Sequence, residues 1–181
     1  MRKKAKNKNI CEKRNIIIKL KDNKLKLQEK KMFFYWTAIV LLIGIDQAVK
    51  IFVDKHMFMG DTIPLIGDFF HITYVQNRGI AFGIFQGKVD VISIATIAAI
   101  LGIIIYFLKN VKKSNLFERM AYVFIISGAI GNMVDRLLRG YVVDMIDFRG
   151  IWSFVFNIAD VYINLGVILL LLDLLLKRRK D

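Results

Sequence analysis

The polar side chains that could perform chemistry are concentrated in residues 128–160, which read GAIGNMVDRLLRGYVVDMIDFRGIWSFVFNIAD. This segment holds four aspartates, Asp135, Asp144, Asp147 and Asp160, in a chain that is 56% hydrophobic. Ionisable side chains at membrane depth are costly and by default mark a functional site. We therefore take Asp144 and Asp160 as the first candidates for chemistry.

Asp144 and Asp160 could form the carboxylate pair of an aspartic protease. Two carboxylates in a partly dry site do not both ionise easily, so one keeps a proton while the other acts as a base. Such a pair can activate water and protonate the leaving amine. Asp144 and Asp147 lie too near in sequence to face each other easily. On spacing alone, simple carboxylates at helix ends remain the alternative.

The sequence gives less support to other hydrolytic mechanisms. The chain has four serines, and none stands convincingly beside a base, so a serine–lysine peptidase is disfavoured. It contains no HExxH motif of a zinc protease. The single cysteine excludes an internal disulfide, and no Cys/His cluster predicts a metal site.

Four hydrophobic segments must position these residues. They cover roughly residues 33–53, 89–108, 117–137 and 156–176, and each approaches the ~20 residues needed to cross the hydrocarbon of a membrane. The second segment is apolar on every side, which argues against a soluble four-helix bundle. The pattern predicts a mainly α membrane protein with four transmembrane helices.

The distribution of basic residues predicts the orientation. Thirteen of the 28 Lys and Arg residues lie in residues 1–31, and others lie between spans two and three and at the C-terminus. This pattern places both termini in the cytoplasm and residues 54–88 and 138–155 outside. We expect residues 1–31 to be largely disordered and to touch anionic lipids. Because they lack interleaved aromatic residues, no nucleic-acid partner is predicted.

The external segment 54–88 predicts a small extracytoplasmic β-sheet. Phe69–Val75 is rich in aromatic and β-branched residues, which is typical of a strand. Ile80–Phe85 could pair with it across a turn at Asn77–Gly79. A sheet of this size would have to rest on the helices.

The depth of the polar residues is the strongest argument from the sequence alone. Counted from the predicted cytoplasmic helix ends, Asp46, Asn132, Asp135 and Asp160 lie thirteen to eighteen residues along their helices. At about 1.5 Å per residue, all lie roughly 20–27 Å from that end. Three helices thus bring polar groups to one level near the outer membrane boundary.

The order and spacing of five motifs resembles lipoprotein signal peptidase, also called signal peptidase II. The resemblance covers about residues 33–176 and is carried by Asp46-Gln47 with Lys50, Asn77-Arg78-Gly79-Ile80-Ala81-Phe82-Gly83, Gly131-Asn132-x-x-Asp135-Arg136, Val142-Val143-Asp144 and Phe156-Asn157-x-Ala159-Asp160. It implies a bacterial inner-membrane aspartyl endopeptidase that removes signal peptides from diacylglyceryl-modified prolipoproteins, cutting before the lipidated cysteine. It also implies that no metal or organic cofactor is needed and that globomycin-type cyclic peptides inhibit. By position, Asp144 and Asp160 correspond to the catalytic pair.

The remaining motif residues are expected to support this pair. Asp46 and Lys50, four residues apart on one helix, can form an ion pair. Asn132 and Asn157 can hydrogen-bond the aspartates or the scissile peptide. The other supporting candidates are Asn77 and Gly79 in a polar turn, Asp135 and Arg136 as ties from the third span to its neighbours, and the motif residues Val142 and Ala159. Trp152 and Phe154 are expected to be interface anchors.

Two other functions remain open on the residues. In a small ion- or proton-coupled transporter, Asp46 and Asp160 would carry protons or bind a cation. A non-enzymatic membrane assembly factor would use the polar layer for helix contacts. The protease interpretation divides the chain into a basic extension, residues 1–31, and a membrane peptidase domain, residues 32–181.

Overall fold

The computed structural model describes residues 2–79 and 89–178, and the chain forms two compact units, residues 1–37 and 38–181. Four described helices could cross a membrane by length and composition, and a small antiparallel sheet accompanies them. The predicted mainly helical membrane fold is confirmed at this level. In chain order the elements are α1 (Arg2–His56), β1 (Thr62–Ile66), β2 (Phe70–Asn77), α2 (Val89–Asn110), α3 (Leu116–Arg139), β3 (Val142–Phe148) and α4 (Ile158–Arg178).

The unit of residues 1–37 is helical in its described part, because α1 already begins at Arg2. The structure describes residues 2–31 as part of α1, and the expectation that residues 1–31 are largely disordered or surface-associated stays a prediction. The chain has no glycine or proline before Gly44 and many Lys and Leu residues, so nothing interrupts a helix there. The division at residue 31 into an extension and a peptidase domain stays a prediction.

Within residues 38–181, α3 and α4 approach closely through small residues. A Cβ atom on Gly128 of α3 would collide with the backbone carbonyl of Ala159 in α4. One on Gly166 of α4 would lie 2.7 Å from the carbonyl oxygen of Ala121 in α3. Small residues at such interfaces allow the dense packing that holds membrane helices together. The first turn of α4 therefore lies directly beside α3.

The three strands form one antiparallel sheet in the order β1-β2-β3. The strand predicted over Phe69–Val75 is confirmed as β2. Strand β3 was not predicted, since residues 138–155 were expected only as an external segment. The proposed partner strand Ile80–Phe85 lies outside the described residues.

The sheet rests on the end of α1, as its small size requires. Val53 of α1 packs with Tyr74 of β2 and with Val143 and Met145 of β3 in one buried cluster. Gly140 ends α3 in a left-handed conformation, φ 75°, and donates its N–H to the Arg136 carbonyl. β3 begins two residues after this turn, at Val142.

Candidate active site

A large cavity opens where β2, β3, α3 and the start of α4 meet. Its volume is about 1240 Å³, above the roughly 300–1,000 Å³ of a typical small-molecule site. Asp144 and Asp160 both line it, together with Asn132 and Arg136 of α3. The two aspartates selected from the sequence therefore share one site.

Asp144 faces the cavity because of the strand period of two. Val75 lies opposite Asp144 and Asn77 opposite Val142 in the β2–β3 ladder, so all four side chains share one face of the sheet and line the cavity. The Asp144 carboxylate accepts hydrogen bonds from Asn157 Nδ2 at 2.6 Å and from Asn77 Nδ2 at 3.0 Å. Both donors are neutral amides.

Burial raises the pKa of Asp144 to about 7, and the neighbouring Asp160 charge adds to the rise. The hydrogen bonds from Asn157 and Asn77 act in the opposite direction, as does the more distant charge of Lys50. Asp144 is only 2% exposed, so desolvation of its charged form dominates. Near neutral pH this carboxyl is therefore able both to hold and to release a proton.

Asp160 is held by the N-terminus of α4. Asn157, the residue before the helix, accepts from the Asp160 backbone N–H at 3.0 Å, and the Asp160 carboxylate accepts from the Asn157 N–H at 3.3 Å. This reciprocal pair is a capping box, here with aspartate at its third position. The other oxygen of Asp160 accepts from Asn132 Nδ2 at 2.8 Å.

Asn157 therefore connects the two carboxyl groups. Its side-chain oxygen is fixed by the backbone of Asp160, and its side-chain nitrogen donates to Asp144. Fixing the oxygen also fixes the direction of the amide, because the two ends of asparagine differ in hydrogen-bonding role. The start of α4 and the middle of β3 are locked together at the cavity wall.

A buried charge cluster lies behind the cavity, where α1 meets α3. Lys50 Nζ is fully buried and contacts Asp46 at 3.0 Å, Asp135 at 2.9 Å and Asn132 Oδ1 at 2.9 Å. These three acceptors use all three ammonium protons. The ion pair expected between Asp46 and Lys50 is thus present, and Asp135 joins it.

The cluster continues into the cavity through Asn132. Lys50 holds the oxygen of this amide, and its nitrogen donates to Asp160. On the opposite side, Asp46 accepts the backbone N–H of Ala159 at 3.0 Å, and Asp135 accepts the N–H of Val143. The cluster therefore touches the backbone next to each cavity aspartate.

Arg136 and the Asn77 turn close the outer side of the site. Arg136 donates to the carbonyl oxygen of Gly79 at 3.3 Å. Asn77 Oδ1 accepts the N–H of Gly79 at 2.9 Å while its nitrogen holds Asp144. The polar turn expected here is present. Trp152 and Phe154, expected as interface anchors, line the cavity.

Asp147, the extra carboxylate on the same strand, belongs to the opposite face of the sheet. Asp147 lies three residues from Asp144, and strand residues an odd number apart face opposite sides of the sheet. It accepts from the Thr73 hydroxyl at 2.8 Å and pairs with Arg149 at 3.0 Å. Arg149 also reaches Thr62 at 3.2 Å, so these residues tie the three strands together away from the cavity.

Three polar residues were missed from the sequence. Arg139 pairs with Asp135 and, at 3.5 Å, with Asp54, and Asp54 accepts from the Tyr74 hydroxyl. Asn164 lines the cavity on α4. A signal for Asn164 was present, since it follows Asp160 by four residues and so lies on the same helix face.

Comparisons with known proteins show the family of this chain. The family model described as signal peptidase (SPase) II matches residues 38–176. A lipoprotein signal peptidase of Fusobacterium nucleatum is 56% identical over 149 residues, 82% of this chain and 90% of the relative. One of Clostridioides difficile is 45% identical over 148 residues, 81% of this chain and 98% of the relative. A bacterial membrane enzyme solved by the in meso method at 2.3 Å superposes with a TM-score of 0.76 at 35% identity, covering 81% of this chain and 90% of that one.

Proposed function

This chain belongs to the signal peptidase II family of aspartic proteases, and we propose that it removes signal peptides from prolipoproteins at the cavity lined by Asp144 and Asp160. One observation carries the assignment of these residues. Both carboxylates line one cavity, and in the described part of the chain neither forms an ion pair. Their partners are neutral asparagine amides, which position the carboxyl groups without neutralising them.

The two aspartates have different roles in this mechanism. Asp144, with its pKa raised to about 7, carries the proton. Asp160 lies in the first turn of α4, where the helix N-terminus stabilises negative charge, and it acts as the base. Asp144 is therefore assigned as the acid and Asp160 as the base.

The reaction needs only water and these two groups. Asp160 takes a proton from water as the water oxygen attacks the scissile carbonyl carbon. Asp144 gives its proton to the carbonyl oxygen, which forms a neutral tetrahedral intermediate. When the C–N bond breaks, the proton held by Asp160 passes to the leaving nitrogen and the intermediate returns a proton to Asp144. Asn132 and Asn157 hold the carboxyl groups in place throughout.

The substrate is a diacylglyceryl-modified prolipoprotein that is cut before its lipidated cysteine. The relatives named lipoprotein signal peptidase support this substrate class. The cavity supports it too, because it lies at the start of a membrane-spanning helix and includes the apolar side chains of Ile163 and Ile168. Globomycin-type cyclic peptides would occupy the same cavity and inhibit.

The protein lies in the bacterial cytoplasmic membrane with both termini in the cytoplasm and the cavity near the extracytoplasmic face. The concentration of basic residues in 1–31 and between spans two and three supports this orientation. Residues 1–31 contact anionic lipid headgroups there, and residues 32–181 form the peptidase domain. Labelling of single cysteines placed in residues 111–113 and 149–151 of intact cells would test the orientation, with only the second set reacting from outside.

The decisive experiment is cleavage of a diacylglyceryl-modified prolipoprotein by purified protein in lipid-supplemented detergent. We expect the wild type to cut before the lipidated cysteine and Asp144→Asn to be inactive although folded. Asp147→Asn is the matched control, because it changes a carboxylate on the same strand that faces away from the cavity. Equal cleavage by the wild type and Asp144→Asn would remove Asp144 from the mechanism.

A further inference from the structure

Asn164 is a polar side chain of the cavity that the mechanism above does not use. Asn164 lies on α4, lines the cavity, and is exposed. Its amide forms no hydrogen bond with any described residue, whereas Asn77, Asn132 and Asn157 each bind one of the aspartates. An amide inside a membrane span normally finds a partner, and the described residues leave this one open to a ligand.

The position of Asn164 fits the part of the substrate that precedes the cleavage site. The cavity follows α4 from Asp160 past Asn164 to Ile168. Asn164 is four residues, about 6 Å, further along the helix than Asp160. An extended peptide covers that distance with about two residues. A substrate whose scissile bond lies at Asp160 would therefore pass Asn164 roughly two residues away from the bond.

The chemistry of an amide selects a peptide backbone as its ligand. A scissile segment that enters the site in extended form loses its helical hydrogen bonds, and at membrane depth little water replaces them. A side-chain amide offers both a donor and an acceptor, which matches the C=O and N–H of a backbone. The ester groups of a diacylglyceryl lipid have only acceptors. Across the cavity, Thr96 already donates its hydroxyl to Ile92 at 2.8 Å and retains only acceptor capacity.

We propose that Asn164 is a substrate-binding residue that hydrogen-bonds the unwound signal-peptide backbone about two residues before the scissile bond. This inference rests on the proposed function. A substrate-binding role also explains why a polar residue stands on a membrane helix. An amide without a partner is costly there, and binding of the substrate would offset that cost. Asn164 thereby selects substrates whose signal peptide is extended at this depth.

The test compares Asn164→Leu, Asn164→Gln and the wild type on two substrates. One is the ordinary lipidated prolipopeptide, and the other carries an ester in place of the second or third peptide bond before the cleavage site, which removes one backbone N–H. We expect Asn164→Leu to lower kcat/KM roughly 5- to 25-fold, as one or two lost hydrogen bonds would, mainly through KM. The wild type should cleave the ester substrate more slowly, and Asn164→Leu should not distinguish the two substrates. Asn164→Gln should recover part of the loss.

Several outcomes would overturn the proposal. One is unchanged kcat/KM in Asn164→Leu, and another is an equal penalty for the ester substrate in both enzymes. A third outcome needs substrates with an ester-linked and an ether-linked lipid. If the wild type distinguishes these two and Asn164→Leu does not, the amide binds the lipid. A structural role would instead lower the Tm of Asn164→Leu, whereas we expect it to be equal or higher. Failure of the wild type to cut either substrate would contradict the proposed function itself, and wild-type cleavage with a neutral Asn164→Leu would contradict only this inference.

Discussion

Two groups of aspartates lie side by side in this protein and have different partners. Asp46 and Asp135 contact the buried ammonium group of Lys50, at 3.0 and 2.9 Å. Asp144 and Asp160 face a cavity and accept from asparagine amides. Asn132 connects the two groups, since Lys50 holds its oxygen and Asp160 accepts from its nitrogen.

The difference shows how one residue type serves two purposes. A carboxylate that faces a buried cation depends on that partner, because removal of either one leaves an uncompensated buried charge. A carboxylate that faces neutral amides keeps its geometry while its proton remains exchangeable. We therefore expect substitutions in the charge cluster to affect mainly stability and substitutions in the cavity to affect mainly activity.

The largest effect is expected for Asp160→Asn, which should lower kcat/KM by about 10²–10⁴-fold because the base is lost. The asparagine oxygen can still accept from the Asn157 N–H, but its amide nitrogen then faces the Asn132 Nδ2 donor. The stability loss should therefore be limited to about 1–3 kcal/mol, the cost of one lost hydrogen bond. Parallel measurement of cleavage rate and Tm in detergent tests the separation. A Tm collapse as large as the loss of activity would place Asp160 with the structural group.

Lys50→Met should destabilise the protein by about 3–5 kcal/mol, because two buried carboxylates lose their cation. The matched control is Lys177→Met, whose ammonium pairs with Asp173 at 2.7 Å but is 56% exposed, and its loss of stability should be far smaller. Unfolding in denaturant of both variants gives the comparison. Similar losses in the two variants would contradict a special role for the buried cluster.

The stability of Asp144→Asn relative to the wild type should rise between pH 4 and about pH 7. The folded protein raises the pKa of Asp144 from 3.8 to about 7, so between these values it binds a proton that the unfolded chain releases. Wild-type stability therefore falls as the pH rises through this window, by about 2–4 kcal/mol, and asparagine cannot ionise. The measurement is the Tm of the wild type and of Asp144→Asn across pH 4–8. A Tm difference between the two proteins that does not vary with pH would contradict the raised pKa of Asp144.

Gly131→Ala should cost about 1–3 kcal/mol through overpacking. The new Cβ would lie 2.6 Å from Asp46 Oδ2 and 3.3 Å from the Ala159 Cβ, so the charge cluster and the start of α4 would both have to move. Gly44→Ala in α1 is the control, since nothing lies within 4 Å of its Cβ, and it should be neutral or slightly stabilising. Thermal unfolding of both variants distinguishes crowding from a general effect of alanine.

The smallest effect is expected for Asp147→Asn. Its partner Arg149 is 46% exposed, so the ion pair should contribute no more than about 1 kcal/mol. Cleavage should stay within roughly twofold of the wild type, because the side chain lies on the sheet face away from the cavity. A large loss of activity at full stability would show that the carboxylate reaches the reaction.

Several contacts of the site were predictable because they follow from the positions of the residues along the helices. Asp46 and Lys50 lie one helical turn apart, and their ion pair is present. The agreement in depth of Asn132 and Asp160 corresponds to their hydrogen bond. In contrast, β3 was missed because Val142–Phe148 is short and carries two aspartates, and its strand character depends on pairing with β2.

The sequence alone determined the four membrane helices and the residues to consider, because apolar length and charge distribution act locally. It also determined the family, through five motifs in order. Only the tertiary structure decided which carboxylates accept hydrogen bonds from asparagine amides and which contact Lys50. These contacts depend on how α1, α3, α4 and the sheet pack together. It likewise decided that Asp144 and not Asp147 faces the cavity, since the direction of a strand residue is fixed by the register with its neighbour.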